Sequence, residues 1–266
     1  MTTETVFLKL GGSLITDKDK PYTPRLDKLK ELALEIKTVL DSTPDLLLIL
    51  GHGSGSFGHT AAKKHGTRNG VQTTEQWHGF AEVRFQAAEL NRYVMEALIN
   101  AGVAAIPFSP SASMVSNHRK VTHHNTMTIR KSLEARLLPV VHGDVAFDES
   151  LGGTILSTED VFSFLAEQFP PSRILLAGIE AGVWEDFPAR TKLVSEIQLS
   201  DYEKMRAGIG GSASTDVTGG MKAKVEEMLE LIQKNNGLTV QIFSAEENGY
   251  LTRALKGENV GTLLKE

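Results

Sequence analysis

A glycine- and serine-rich stretch that ends in a histidine is the part of the chain best suited to hold an anion. Residues 45–59 read DLLLILGHGSGSFGH. The apolar run Leu46–Leu50 predicts a buried strand, and it stops at a segment that contains four glycines, two serines and His59. A buried strand that breaks into such a loop exposes backbone N–H groups that can surround a phosphate, and glycine lets the ligand approach closely. His59 adds a donor whose charge changes near neutral pH.

The spacing of these glycines differs from two common phosphate-binding fingerprints, GxxxxGK[ST] and GxGxxG, so the stretch alone also fits an ordinary strand-to-helix turn.

Two further segments carry similar chemistry, and the first lies near the N-terminus. Lys9 stands close to the end of the first predicted strand, separated by one residue from Gly11-Gly12-Ser13. Lys18 follows in the charged turn TDKDK. Each lysine alone fits a solvated surface charge, but a lysine beside exposed amides suits a polyphosphate.

The second of these segments lies late in the chain, where residues 215–224 read TDVTGGMKAK. A polar loop enters a predicted helix through Gly219 and Gly220, which leaves the N-terminus of the helix open to an anion. Lys224 lies one turn into the helix, on the same face as Gly220. Paired glycines also begin ordinary helices, so the interpretation of this segment rests on the other two.

Strand and helix patterns alternate along the whole chain. Apolar runs typical of strands, such as Thr5–Leu10 and Arg173–Ala177, are separated by segments with helical spacing, such as Leu26–Leu40 and Thr73–Asn100. This alternation predicts an α/β fold with an open, mainly parallel sheet sandwiched by helices. We expect one domain over residues 1–266, with a soft lobe boundary near residue 170.

Several glycine segments should meet at one edge of this sheet, because each of them follows a predicted strand. Open α/β sheets bind their ligands beyond the carboxyl ends of the strands. The sequence therefore predicts a binding site at that edge, built from the glycine segments at residues 11–12, 51–58, 143 and 178–182.

The composition excludes several functional classes. Of 266 residues, 41% are hydrophobic and 23% are charged, and the net charge of -5 argues against non-specific nucleic-acid binding. No apolar run approaches the about 18 residues of a membrane span, and the N-terminus lacks a signal-peptide pattern, so we expect a cytoplasmic protein. Cysteine is absent, and the eight histidines show no metal-binding spacing, so we expect no protein-held metal.

Together the segments resemble the amino-acid-kinase superfamily over nearly the whole chain. Its members carry a KxGGS-like first strand, a second glycine loop after the following strand, and a TGGM…K element late in the sequence. The histidine-ended loop Gly53–His59 is narrower and is similar to that of the isopentenyl phosphate kinase family. Five other segments of that family match in order and spacing: KLGGS at 9–13, ITxK at 15–18, PSA at 110–112, GDV at 143–145 and TDVTGGM at 215–221.

The resemblance implies MgATP-dependent phosphorylation of isopentenyl phosphate to isopentenyl diphosphate, in isoprenoid biosynthesis. It also implies an amino-acid-kinase-like αβα fold, a homodimer, and lobes that bind the acceptor (about 1–170) and the nucleotide (about 171–266). A phosphate monoester is largely dianionic at neutral pH, so such an acceptor needs no general base. What it needs is cations and N–H donors around two phosphates that repel each other.

The matched motifs imply a role for each residue. Lys9 should contact the transferring γ-phosphoryl group, Lys18 should neutralise β- and γ-oxygens, and Asp160 in the STED segment should orient the catalytic lysines. His59 should mark a phosphate acceptor, since related kinases act on carboxylates. The residues expected to bind the nucleotide are Lys9, Gly11, Gly12, Ser13, Gly55, Gly182, Gly219, Gly220 and Lys224. The residues expected to bind the acceptor are Ser54, Gly58, His59, Gly143 and Asp144.

Two parts of the expected site follow less directly. The acceptor needs a small apolar pocket, for which the long predicted helix offers four large side chains that equally fit core positions: Trp77, Phe80, Phe85 and Val94. After the strand at 173–177 the superfamily usually carries an acidic TDVDG-like segment, but this chain reads GIEAG at 178–182. Contacts to the nucleotide there would have to run through the backbone of Gly182 and Val183.

Three alternatives stay open on the sequence alone. A kinase for another small phosphate or phosphonate, of the fosfomycin-kinase type, shares the histidine-type loop. An acetylglutamate- or uridylate-type kinase is a more distant possibility. A non-catalytic binding protein on the same fold is disfavoured, because a pure binder has no need to orient several lysines at a γ-phosphate.

Overall fold

The computed structural model describes residues 4–202 and 220–266. These residues form a central eight-stranded sheet, a four-stranded sheet and a two-stranded sheet. Numbered along the chain, the strands are β1 (Glu4–Leu10), β2 (Leu46–His52), β3 (Ala105–Phe108), β4 (Met114–Asn117), β5 (Lys120–His124), β6 (Leu138–His142), β7 (Asp144–Asp148), β8 (Gly152–Leu156), β9 (Arg173–Gly178), β10 (Val183–Trp184), β11 (Leu193–Val194), β12 (Glu196–Gln198), β13 (Thr239–Ser244) and β14 (Thr262–Lys265).

The central sheet has the strand order β12-β14-β13-β9-β1-β2-β6-β3 within the described ranges. Its six strands from β13 to β3 run parallel, whereas β14 pairs antiparallel with β13 and parallel with β12. Helices cover this sheet on both sides. The predicted α/β class with an open, mainly parallel sheet is confirmed.

The helices of the described residues connect these strands. They are α1 (Gly12–Ile15), α2 (Leu26–Ser42), α3 (Gly55–His65), α4 (Thr74–Asn100), α5 (Pro110–Ser113), α6 (Met127–Glu134), α7 (Thr158–Gln168), α8 (Gly220–Lys234) and α9 (Tyr250–Leu255), with a 3₁₀ helix over Thr67–Asn69. Across these ranges no helix combines the length and the apolar character that crossing a bilayer requires.

The alternation of side chains along β1 divides the core into two layers. Val6 and Leu8 pack with apolar residues of α2, α4 and α9 on one face of the sheet. Phe7 packs with residues of α6, α7 and α8 on the other face. Since side chains alternate between the faces of a strand, Lys9 shares a face with Phe7 and therefore points toward α7 and α8. The period of a buried strand thus fixes the direction of this lysine.

The carboxyl ends of the central strands place the glycine segments beside each other. Lys9 of β1 is paired in register with Gly51 of β2 and with Leu176 of β9. The residues that follow these three strands therefore emerge at one edge of the sheet, as the sequence predicts.

The four-stranded sheet was not predicted from the sequence. Its order is β5-β4-β7-β8, and it lies beside α3 and α4 with its own apolar cluster, which includes Phe80, Val83 and Val145. The strands are short, and β5 (KVTHH) has little apolar alternation, so its pairing depends on neighbours that are distant in sequence. This sheet supplies one wall of the cavity described below.

The glycine stretch is also shorter as a loop than predicted. Strand β2 does not end at Leu50 but continues through Gly51 and His52, which pair with Val141 and His142 of β6. Helix α3 then begins at Gly55, so only residues 53 and 54 lie between strand and helix. Main-chain pairing needs no apolar side chain, and for that reason the apolar pattern ended before the strand did.

Two predicted boundaries near the C-terminus are also corrected. The sequence pattern predicts a short strand over 194–197, but the structure divides this segment between β11 and β12, which belong to different sheets. The sequence pattern also predicts a helix over 246–255, but the helix begins only at Tyr250, because Gly249 precedes it with a left-handed φ of 90°.

Gly51 is required for packing between the sheet and α7, and this makes a prediction about stability. A Cβ at this position would lie 2.5 Å from Thr158 Cγ2 and 2.6 Å from Phe162 Cζ. Phe162 is fully buried and packs against the Phe7 ring, so its ring is held in place beside the new methyl group. We expect Gly51→Ala to lower the free energy of unfolding by about 1–3 kcal/mol, as overpacked cores do, measured by urea denaturation.

The matched control is Gly178→Ala, where the nearest atoms to a new Cβ would be 4.0 Å away. This variant should unfold at the same urea concentration as the parent. Equal stability of both variants would contradict the packing role of Gly51.

Candidate active site

A cavity of about 950 Å³ opens at the carboxyl edge of the central sheet. Its walls come from the ends of β1, β2, β9 and β13, the starts of α3, α7 and α8, and the β7–β8 side of the small sheet. Most of the residues predicted for the site line it. They are Lys9, Gly11, Gly12, Ser13, Lys18, Ser54, Gly55, Gly58, His59, Gly143, Asp144 and Lys224.

Two glycine turns meet backbone to backbone at the floor of the cavity. A Cβ on Gly12 would lie 2.5 Å from the nitrogen of Gly55, and a Cβ on Gly53 would lie 2.8 Å from the nitrogen of Gly12. Gly55 also has a φ of 48°, a backbone angle that residues other than glycine rarely adopt. Any side chain here would push the turns apart.

The amides at these turns are suited to phosphate. Gly12 and Ser13 form the first turn of α1, and Gly55 begins α3; neither helix has a side-chain cap. The first N–H groups of a helix have no partner inside the helix, so they can donate to an anion. Gly11 differs from the prediction, because its N–H donates to the carbonyl of Ala177 at 2.7 Å. It serves to join the turn to β9 rather than to offer an amide.

Lys9, the last residue but one of β1, is held by a carboxylate on α7. The ring of Phe7 contacts that of Phe162 at 5.0 Å between centroids. Lys9 lies two residues further along the strand, and Glu159 lies one turn earlier on the helix, so they form the next layer of the same contact. Lys9 Nζ donates to Glu159 Oε2.

Glu159 is a buried carboxylate that stays ionised. Burial by itself would raise its pKa, but the positive charges of Lys9 and Lys224 outweigh burial and hold the pKa below its usual value. The carboxylate therefore fixes one lysine by a hydrogen bond and lies in the field of the other.

Asp160 does not take the role predicted for it. Its Oδ2 accepts hydrogen bonds from the backbone N of Ser157 at 2.7 Å and from Ser157 Oγ at 2.8 Å, which forms a capping box at the start of α7. Burial raises its pKa. Asp160 therefore caps the first turn of α7, and the carboxylate that contacts Lys9 is Glu159. The spacing Ser157-x-x-Asp160 is a capping-box signal that the sequence already contained.

The part of the cavity predicted to bind the acceptor combines His59 with small polar residues and an apolar patch. Helix α3 carries Ser54 as its N-cap residue and His59 one turn later. A Cβ on Gly58 would lie 2.3 Å from Ser54 Oγ, so the glycine leaves room for that hydroxyl. Directly after the neighbouring strand β6, Gly143 donates its N–H to the carbonyl of His52 at 3.1 Å. Asp144 accepts from the backbone N of Ser111 at 3.2 Å and from that of Val145 at 2.8 Å, and burial raises its pKa.

The apolar part of this wall is formed by smaller residues than predicted. Ala62, Val83, Ala87 and Ile155 line the cavity. None of the four large residues suggested by the sequence lines it: Trp77 and Phe80 pack in the cluster under the small sheet, Val94 packs in the main core, and Phe85 is exposed. Which residues of α4 face the cavity depends on the rotation of α4 about its axis relative to α3. The sequence alone does not determine that rotation.

Among the residues predicted to bind the nucleotide, Gly182 lies elsewhere than predicted. Gly182 packs on β14, where a Cβ would lie 2.4 Å from Thr262 Oγ1, and it does not line the cavity. The neighbouring Glu180 does. It accepts from Trp184 Nε1 at 3.1 Å and pairs with Arg190 at 3.2 Å. This acidic residue therefore holds an indole and a guanidinium at the cavity wall.

The late glycine segment is described in part. Gly219 lies outside the described residues. Gly220 begins α8 with a φ of 73° and is buried, while Met221 and Lys224 from the first two turns line the cavity. Lys18 reaches the cavity from a turn closed by the bridge between Thr16 and Pro24.

Arg68 and Glu159 are site residues that the sequence analysis missed. Arg68 also lines the cavity, from the 3₁₀ helix between α3 and α4. No local motif marks it. In the part of the chain that the structure describes, no cluster of three histidine or acidic residues is arranged to hold a metal ion.

The fold and the cavity define a class of protein: an open α/β sheet whose carboxyl edge presents lysines, a histidine and backbone amides, which are groups suited to phosphate. The sequence matches the family model described as Amino acid kinase family over residues 4–244. The chain belongs to the amino acid kinase family.

Isopentenyl phosphate kinases are among its relatives within the family. That of Methanocaldococcus jannaschii is 33% identical over 264 residues, with 96% of each chain covered. That of Methanothermobacter thermautotrophicus is 34% identical over 267 residues, again with 96% of each covered. A solved structure described as X-ray structures of isopentenyl phosphate kinase has a TM-score of 0.81 and 29% identity, covering 98% of this chain and 100% of that one. The resemblance found in the sequence is confirmed.

Proposed function

We propose that this protein is a MgATP-dependent kinase that phosphorylates isopentenyl phosphate to isopentenyl diphosphate, in isoprenoid biosynthesis. The observation that carries the proposal is one cavity with the Lys9–Glu159 pair on one wall and His59 with Ser54 on another. An apolar patch of small residues, next to the polar groups of α3, suits a short branched hydrocarbon tail. The full-length similarity to isopentenyl phosphate kinases supports the same acceptor.

The proposed reaction is direct in-line transfer. An oxygen of the dianionic acceptor phosphate attacks the γ-phosphorus of ATP, the bond to the β–γ bridging oxygen breaks, and ADP leaves. The acceptor carries no proton on the attacking oxygen at neutral pH, so no general base is required. The magnesium ion enters with the nucleotide and neutralises phosphate oxygens when bound.

The protein contributes position and charge to this step. Lys9, fixed by Glu159, stabilises the negative charge on the transferring group. Lys18 and Lys224 neutralise oxygens on the ATP side, where the amides of Gly12 and Gly55 add donors. On the acceptor side His59 and Ser54 donate to the acceptor phosphate, and Gly143 and Asp144 form the adjoining wall.

We also propose an acceptor-binding lobe over about 1–170, a nucleotide-binding lobe over about 171–266, and a cytoplasmic homodimer. The chain mass is 29.0 kDa. Light scattering coupled to size exclusion should therefore give about twice that mass, and the mass of a single chain would contradict the dimer.

A panel of acceptors with MgATP tests the proposed function. It contains isopentenyl phosphate, dimethylallyl phosphate, fosfomycin, N-acetylglutamate and UMP, with ADP release as the measurement. We expect the highest kcat/KM with isopentenyl phosphate. Preference for fosfomycin would assign a phosphonate kinase instead, and turnover of only N-acetylglutamate or UMP would reject a phosphate-tail acceptor of this kind.

His59→Ala tests the acceptor side separately. We expect kcat/KM for isopentenyl phosphate to fall by about 10²–10³-fold, because a preorganised donor to the reacting phosphate is lost, while ATP affinity changes less than twofold. The control is His78→Ala, an exposed histidine on α4 outside the cavity. Unchanged turnover in His59→Ala would remove this residue from the acceptor site.

A further inference from the structure

The cavity contains a further cation, Arg68. Arg68 lines the cavity, and its Nη1 is buried without a hydrogen-bond partner. None of the carboxylates in the described ranges forms an ion pair with it. Arg68 as a whole is half-buried, but arginine stays protonated in proteins, and a charged nitrogen that is buried without a hydrogen-bond partner is unfavourable. A guanidinium in this position therefore calls for an anionic ligand.

The main chain around Arg68 is held firmly. Thr154 Oγ1, which is fully buried in β8, donates to the carbonyl of Arg68 at 3.0 Å. Asn69 donates its N–H to the carbonyl of Gly66, and Val71 donates to that of Leu151 at 2.9 Å. The 3₁₀ helix is thus fastened to both α3 and the small sheet. The main chain that carries Arg68 is therefore fixed, and the planar fork of its guanidinium matches a pair of phosphate oxygens.

The surroundings of Arg68 place it on the acceptor side. The 3₁₀ helix packs between α3, which carries His59, and β8, which carries the cavity-lining Ile155. Its positive charge opposes the effect of burial on the pKa of Asp160 of α7 and of Glu227 of α8, so the guanidinium also lies near these two carboxylates. It therefore lies between the predicted phosphate ligands of α3 and the helix that holds the Lys9–Glu159 pair.

We propose that Arg68 binds the phosphate group of the acceptor through its guanidinium, as a ligand additional to His59 and Ser54. Two parallel N–H···O bonds from an arginine suit a phosphate dianion better than a single ammonium does. The contact persists in the product, where the same phosphate has become the inner phosphate of the diphosphate. This inference rests on the proposed function, since it names a further residue of that acceptor site.

The test compares Arg68→Gln and Arg68→Lys with the parent enzyme. We expect Arg68→Gln to raise KM for isopentenyl phosphate at least about tenfold, with KM for ATP changed less than twofold, as the loss of one charge-assisted contact implies. Arg68→Lys should recover part of that loss, because it restores the charge without the fork. Arg92→Gln, an exposed arginine of α4 outside the cavity, is the control and should behave as the parent does.

A purely structural role would give a different result. It predicts that Arg68→Gln lowers the melting temperature and weakens ATP and acceptor binding alike, and that outcome overturns the proposal. Equal KM values for the parent and both variants also overturn it. If Arg68→Gln does not fold, the KM values of Arg68→Lys decide the question alone.

Binding of inorganic phosphate separates this inference from the proposed function. Calorimetric titration with phosphate needs no turnover, and we expect the parent to bind it and Arg68→Gln to lose at least about tenfold in affinity. If the parent fails to phosphorylate isopentenyl phosphate but shows this difference, the proposed acceptor is wrong and the arginine site stands. If the parent turns over isopentenyl phosphate and the phosphate affinities are equal, the arginine inference is wrong and the function stands.

Discussion

Replacing Lys9 by methionine should abolish phosphoryl transfer, with a fall in kcat of about 10³-fold or more. The lysine is the cation at the end of β1, where it faces the start of α7, and its charge acts on the transferring group in a partly enclosed cavity. Methionine preserves much of the length and the apolar stem of the side chain. Single-turnover measurement of ADP formation with saturating MgATP and isopentenyl phosphate checks this.

Loss of stability must be separated from loss of chemistry in this variant. Removing Lys9 leaves the buried carboxylate of Glu159 without its hydrogen-bonded partner, which costs stability. The double variant Lys9→Met/Glu159→Gln removes that unpaired charge. We expect it to melt at a higher temperature than Lys9→Met and to remain equally inactive. Retained kcat in either variant would show that Lys9 does not act on the transferring group.

Glu159→Gln should lower kcat by about 10²-fold, whereas Asp160→Asn should leave kcat within about threefold of the parent. The glutamate holds Lys9 by a hydrogen bond and lies in the field of Lys224, so its charge acts on both lysines. Asp160 instead caps α7, so Asp160→Asn should cost about 1 kcal/mol of stability, the usual value of an N-terminal cap interaction. Steady-state kinetics and urea denaturation of both variants provide the comparison.

The pH dependence of Glu159 gives an independent check. Its pKa is lowered in the folded protein, so its ionisation stabilises the fold above the unfolded pKa near 4.5, and that contribution is lost as the pH falls through the folded value. Glu159→Gln should therefore flatten the loss of stability on acidification below about pH 4.5. Reversed kinetic roles, with Asp160→Asn inactive and Glu159→Gln active, would restore the interpretation that the sequence suggested.

The parts of the site that sequence reasoning recovered are those with local signals. Lys9 follows from its place near the end of an apolar strand, one residue before paired glycines. The glycine segments at residues 11–12 and 51–58 follow from glycines placed after strands. Each of these depends on residues close together in the chain. The edge of the sheet where they meet follows from the parallel order of the strands.

The parts that sequence reasoning missed depend on how distant elements fit together. Whether Glu159 or Asp160 faces Lys9 is decided by the rotation of α7, which the contact of Phe162 with Phe7 fixes. Arg68 has no motif around it, since its position is set by the support that β8 gives to the 3₁₀ helix. Gly51 looked like a member of a phosphate loop, but it is required by the packing of α7.

In the proposed complex, two phosphates face each other between Lys9, near the end of β1, and His59 of α3. A crystal structure with isopentenyl phosphate and a non-hydrolysable ATP analogue tests it most directly. We expect an acceptor oxygen about 3–3.5 Å from the γ-phosphorus, as in a near-attack arrangement, with Lys9 on the γ-phosphate and His59 on the acceptor phosphate. An acceptor phosphate bound away from His59, or a γ-phosphate out of reach of Lys9, would contradict this arrangement of the two phosphates.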